Sequence, residues 1–121
     1  MNKEDYVSLE CAKLLKEKGY DDECELAYET DKEPAKLVVH CMPNHRLSNT
    51  DYTCPTLYEA QKWLREIHNI DVLPVIREES TIKDYCCNVY KNAKVVRCKV
   101  AYGEDFYECM NEGLVEAFNL I

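Results

Sequence analysis

The side chains best suited to chemistry in this sequence are its cysteines and histidines. Eight cysteines, Cys11, Cys24, Cys41, Cys54, Cys86, Cys87, Cys98 and Cys109, fall in 121 residues, a density that raises a disulfide scaffold. Such scaffolds belong to exported chains, and the opening Met-Asn-Lys-Glu-Asp-Tyr has no apolar signal core, so reduced thiols are expected. Structural zinc sites hold close pairs such as Cys-x2-Cys, because two thiolates must reach one ion from a tight turn. No pair here has that spacing, and the adjacent Cys86 and Cys87 would point to opposite faces of a strand. His40, Cys41, His45 and Cys54 could supply metal ligands, but their spacing fits no standard site, so no metal and no cofactor is expected. Most of the cysteines read as small reduced core residues.

Catalytic signatures are missing too. With Gly19, Gly103 and Gly113 as the only glycines, neither a Walker loop nor a dinucleotide fingerprint can form. No nucleophile elbow, His-Glu-x-x-His or zinc-deaminase signature is present. The pairs Asp21-Asp22 and Glu78-Glu79 read as solvated turn acids, and His68 as a cation favoured at a helix C-terminus. No catalytic residue is assigned. If an enzyme were present, Cys54 beside His45 would be its nucleophile and base.

The elements that must position these residues follow from periodicity. A helix is predicted over Tyr6 to Lys18, with Val7, Cys11, Leu14 and Leu15 on one side, Asp5 or Ser8 as cap and Gly19 as stop. Strands are predicted over Glu23 to Glu29 and Lys36 to Met42, joined by a polar turn ending in Pro34. In the second strand Leu37, Val39 and Cys41 share one face, and Val38, His40 and Met42 the other. Pro43 to Pro55 reads as a loop, long for a compact domain. Closure entropy varies slowly with length, so a mere connector here would shorten at little cost. Thr56-Leu57-Tyr58-Glu59 is a capping box opening a helix, with Leu57, Ala60, Leu64 and Ile67 as its apolar stripe and Trp63 widening it into the core.

Three more strands are predicted, over Ile70 to Arg77, Thr81 to Lys91 and Lys94 to Tyr102. Pro74 argues for a sheet edge, and Lys91-Asn92-Ala93 makes the last turn. A final helix begins at Asp105 and carries Phe106, Met110, Leu114, Ala117, Phe118 and Ile121. The order is α-β-β-α-β-β-β-α. Hairpin-length links imply antiparallel pairing, hence an α+β fold with one sheet of about five strands and three helices. At 121 residues a single domain spanning the whole chain is expected.

Charge narrows the partners. Fifteen basic residues against 23 acidic ones give −8, with a pI near 4.9. That disfavours nucleic acid and anionic membrane, and suits solubility or docking onto a basic protein. No stretch is long and apolar enough for a transmembrane helix. Nine tyrosines against two phenylalanines add amphipathic side chains of the kind enriched at interfaces.

Three blocks carry a resemblance. Tyr6 to Asp21 (YVSLECAKLLKEKGYD), Pro55 to Glu66 (PTLYEAQKWLRE) and Tyr107 to Ile121 are similar to the opening, central helix and last helix of a set of short uncharacterised proteins of gut Bacteroides-type bacteria and their phages. The resemblance implies an accessory protein of a mobile element or its host, in the cytoplasm. It carries no known activity and transfers no catalytic residue. The middle strands and the cysteines depart from that set.

The sequence therefore points to a small acidic, non-enzymatic protein of the cytoplasm that acts through a protein partner, with self-association left open. The expected surface is the 43–55 loop with neighbouring tyrosines: His45, Arg46, Asn49, Asp51, Tyr52 and Tyr58. The alternative is a small-ligand binder with its pocket at the same loop, and a cysteine-dependent enzyme ranks third.

Overall fold

The computed structural model describes residues 5–77 and 84–121, with the side chains of Arg77 and of 98–102 left aside. The chain forms two compact units, residues 1–56 and 57–121.

In the first unit the sequence punctuation sets the helix. Ser8 is the N-cap and its hydroxyl accepts the Cys11 amide at 3.3 Å. Helix α1 then runs Leu9–Glu17. Gly19 follows with φ of +97°, a left-handed conformation that glycine adopts at no steric cost. Cys11, Ala12 and Leu15 are the buried stripe of α1.

Three strands complete this unit: β1 (Cys24–Glu29), β2 (Lys36–Met42) and β3 (Asp51–Thr53). They form an antiparallel sheet in the order β2-β1-β3. The third strand lies inside the stretch expected to be loop. It pairs with β1 through Ala27↔Thr53, Tyr28↔Tyr52 and Glu29↔Asp51, and the Cys54 amide donates to the Leu26 carbonyl at 2.9 Å. Three residues without apolar alternation give no periodic signal.

The β1–β2 ladder also departs from simple alternation. Leu26 pairs with Val39 but Cys24 pairs with Met42, so β2 has one residue too many opposite Glu25. Cys41 sits at this bulge with φ of 52°. The bulge moves Met42 to the face of Val39 and Leu26, away from His40, correcting the assignment of Val38, His40 and Met42 to one face.

In the second unit, α2 (Leu57–His68) precedes β4 (Ile70–Arg77), β5 (Asp84–Lys91) and β6 (Lys94–Gly103), and α3 (Phe106–Phe118) ends it. The antiparallel order is β4-β5-β6, which puts Pro74 on an edge as expected. Asn92 and Ala93 both have positive φ, 53° and 65°. Two such residues between paired Lys91 and Lys94 make the tight hairpin turn whose twist matches its strands. The expected strand start at Thr81 and the faces of Cys98, Val100 and Tyr102 lie outside the described residues.

Asp105 caps α3, its carboxylate accepting the Tyr107 and Glu108 amides at 2.9 and 3.2 Å. The helix lies close on the sheet at Gly113, where a Cβ would meet Cys87 Sγ at 2.7 Å and Cβ at 2.9 Å. Met110, Leu114, Ala117 and Phe118 are buried. In α2 only Ala60 and Leu64 are buried. Ile67 is 64% exposed, and Trp63 is half-buried, edge-on to His68 at 4.7 Å between centroids, so both lie further out than the stripe suggests.

Among the described residues the fold is thus α+β with three helices, but with two three-stranded antiparallel sheets in place of one sheet of about five strands. No helix of the described residues is long and apolar enough to cross a membrane.

Candidate functional site

The 43–55 stretch is an ordered shelf on the first unit. A short 3-10 turn, Asn44–Arg46, opens it. Asn44 is the buried anchor: its Nδ2 donates to the Tyr20 carbonyl at 2.8 Å and its Oδ1 accepts the Thr53 amide at 3.0 Å. One amide thus fastens the start of the shelf both to the segment after α1 and to β3. From α1, Lys16 Nζ donates to the Ser48 and Asp51 carbonyls, both at 2.7 Å. Burial lowers the Lys16 pKa, while the charge of Asp51 works the other way.

His45 and Asp21 form the exposed corner of this shelf. The His45 amide donates to Asp21 Oδ1, and its ring Nδ1 lies 2.8 Å from Asp21 Oδ2. The backbone donation is the main cause holding the Asp21 pKa below its ordinary value, with the ring adding to it. Beside the pair lies an open pocket of about 360 Å3, lined by Lys16, Gly19, Tyr20, Asp21, Asn44 and His45.

The sequence-predicted surface residues divide by role. Arg46 and Asn49 are exposed. Asp51 and Tyr52 lie in β3 and are half-buried. The Tyr52 ring carries Lys16 Nζ at 5.1 Å and Lys13 Nζ at 5.9 Å from its centroid, which engages it within the fold. Tyr58 is on α2 in the second unit and is 59% exposed. Sequence reasoning missed Asn44, Lys16 and Asp21. Their signal was only polarity, which does not separate an anchor from a solvated residue.

The metal candidates are not gathered as a set. Cys54 is buried and donates to the Val7 carbonyl at 3.5 Å, Cys41 is exposed at the bulge, and His45 is held by Asp21. Cys54 and His45 are thereby engaged with different partners. His40 instead stands near two residues outside that set, Glu29 and Asp51, with donor atoms within 4.8 Å of one another.

The seven cysteines with described side chains are all unbridged, and all but Cys41 are buried. Burial pushes the Cys11 thiol from 9.0 up to about 11. In the second unit Cys87 and Cys109 lie Sγ to Sγ at 3.6 Å, and burial raises both. These thiols are protonated near neutral pH and poorly disposed to act as nucleophiles. Comparison with protein-family models, with curated proteins and with solved structures finds no match.

Proposed function

We propose that the chain is a non-enzymatic binding protein that docks a basic protein partner through the shelf at residues 43–55. The observation that carries this reading is the division of labour on the shelf. Asn44 and Lys16 tie its backbone from within, while Arg46, Ser48, Asn49 and the His45–Asp21 pair remain exposed. A surface already ordered loses little conformational entropy on binding. The acids Asp21, Asp22 and Glu23 are exposed beside it, and the net charge of −8 favours encounter with a basic surface. The resemblance to phage and host accessory proteins supports a cytoplasmic setting.

The test is affinity capture from the host with the native chain and with an Asp22→Lys, Asn49→Ala variant, both exposed positions at the shelf, read by mass spectrometry. Neither side chain holds the fold, so the variant is expected to keep its melting temperature and lose the partner. Capture undiminished by the variant refutes the shelf as the interface.

The pocket beside His45 supports a second reading, a small polar ligand held by Lys16, Asp21 and His45. Chemical-shift changes confined to those residues on addition of small metabolites, with no protein captured, would favour it.

A further inference from the structure

We propose that the first unit binds a divalent metal ion of the zinc type through Glu29, His40 and Asp51. The three residues come from three neighbouring strands, and one donor atom of each lies within 4.8 Å of the others. Glu29 and Asp51 are direct cross-strand partners. Two carboxylates placed opposite each other repel, and a cation between them converts that cost into attraction. His40 belongs to the same sheet face by alternation, because Val38 pairs with Ala27 and Ala27 with Thr53. Ala27 stands in the middle of this face, and its single methyl leaves room for His40 and Glu29 to approach across it. The β2 bulge lies at the His40–Cys41 step, the kind of irregularity that re-aims a side chain.

Two buried polar atoms on this face point independently to a ligand. Thr53 is fully buried and its Oγ1 has no hydrogen-bond partner, and His40 Nδ1 is sealed from solvent and equally without one. Each such orphan is costly unless something satisfies it. Thr53 lies two residues beyond Asp51 on the same face, so its hydroxyl is placed to meet water bound to an ion there. A small pocket of about 140 Å3 lined by Glu29, Asp31, Lys32, Pro34 and Lys36 opens on the Glu29 side of the cluster.

The donor set selects the ion. One imidazole with two carboxylates gives mixed nitrogen and oxygen ligation and a charge of −2 against +2, which suits Zn2+. Ca2+ and Mg2+ take oxygen ligands and make no use of the imidazole. A tetrahedral Zn2+ with bonds of about 2.0–2.2 Å sets its donors about 3.4 Å apart, so donors now within 4.8 Å of one another close by at most about 1.4 Å on loading. The Lys16 ammonium, whose charge interacts with Asp51 from α1, opposes binding and sets the affinity below that of a four-ligand structural site. This inference does not depend on the partner reading.

The test is calorimetric titration of the reduced full chain with Zn2+, Ca2+ and Mg2+, and Co2+ spectroscopy. One Zn2+ per chain is expected to bind, at least tenfold more tightly than Ca2+ or Mg2+. Glu29→Gln and His40→Ala are each expected to weaken binding by tenfold or more, while Cys41→Ser and His45→Ala leave it unchanged. Glu29→Gln is nearly isosteric, so it remains informative if His40→Ala fails to fold. Three results overturn the proposal: no Zn2+ binding at millimolar ion, a strong thiolate-to-cobalt charge-transfer band, or affinity indifferent to Glu29→Gln.

Discussion

Replacing Asn44 by alanine isolates the contact on which the shelf depends. The side chain is 5% exposed and makes two hydrogen bonds, to the Tyr20 carbonyl at 2.8 Å and from the Thr53 amide at 3.0 Å. Alanine leaves both backbone groups buried without this partner. Each stranded group costs about 1–3 kcal/mol, and some water entry from the adjacent pocket will reduce the sum, so a loss of about 2–4 kcal/mol is expected. Urea unfolding followed by far-UV circular dichroism measures it, and amide exchange at Thr53 reports where it arises. Asn44→Asp provides a further check. Its carboxylate still accepts from Thr53 but meets the Tyr20 carbonyl with negative charge, so that variant should be stabilised relative to itself as pH falls and the carboxyl gains a proton to donate. A loss below about 1 kcal/mol for Asn44→Ala, with unchanged exchange at Thr53, would refute the anchor role. The same reasoning reverses the expectation that this stretch is a cheap connector. Replacing residues 44–51 with a Gly-Ser link removes Asn44 and the Asp51 end of β3, and should melt the first unit's sheet edge well beyond a few degrees.

Gly113→Ala should cost about 1–3 kcal/mol in a urea melt despite alanine's better helix propensity, because its Cβ meets Cys87 at 2.7 Å; the double variant with Cys87→Ala should cost less than the sum of the two singles. Cys11 has a folded pKa of about 11 against an ordinary 9.0, so its contribution is fully present below pH 9 and is lost as pH rises from 9 to 11. That amounts to about 2.7 kcal/mol at two pKa units, and Cys11→Ala should flatten this alkaline limb of a pH-stability profile. Thiol titration in denaturant after anaerobic preparation should find at least six of the eight cysteines free, and fewer than four would contradict the reduced state. Trp63→Ala should cost about 1–3 kcal/mol rather than the loss of a fully buried tryptophan, and a loss above about 4 kcal/mol would show that its half-exposed position is misread.

The parts of the fold legible in the sequence were those with local punctuation. Ser8 and Gly19 bound α1, Asp105 caps α3, Pro74 lies on an edge strand, and Asn92–Ala93 makes a tight turn, each because one residue's backbone or side-chain preference decides the outcome. What was not legible depended on pairing between distant residues. β3 has three residues and no alternation, and it forms because the β1 edge needs partners there: the Leu26 carbonyl accepts the Cys54 amide and the Thr30 amide donates to the Thr50 carbonyl. With it the sheet count changes, since residues 24–53 close a three-stranded sheet of their own.

The candidate sites were legible in composition but not in grouping. Polar residues in the 43–55 stretch were visible as a set, yet their sorting into anchor and display depends on which of them reach Tyr20, Lys16 and Asp21. Asn44 and Asn49 are the same residue type five positions apart; one is buried with two backbone partners, while the other is exposed. The histidines show the same limit. Spacing along the chain grouped His40 with Cys41, His45 and Cys54. Strand register groups it with Glu29 and Asp51, eleven residues away on either side. A ligand set drawn from three strands has no sequence spacing to recognise, because the ladder that brings its members together is fixed by the hydrophobic face opposite. On β1 that face is Cys24, Leu26 and Tyr28, and burying those three is what turns Glu29 toward Asp51 on the other side.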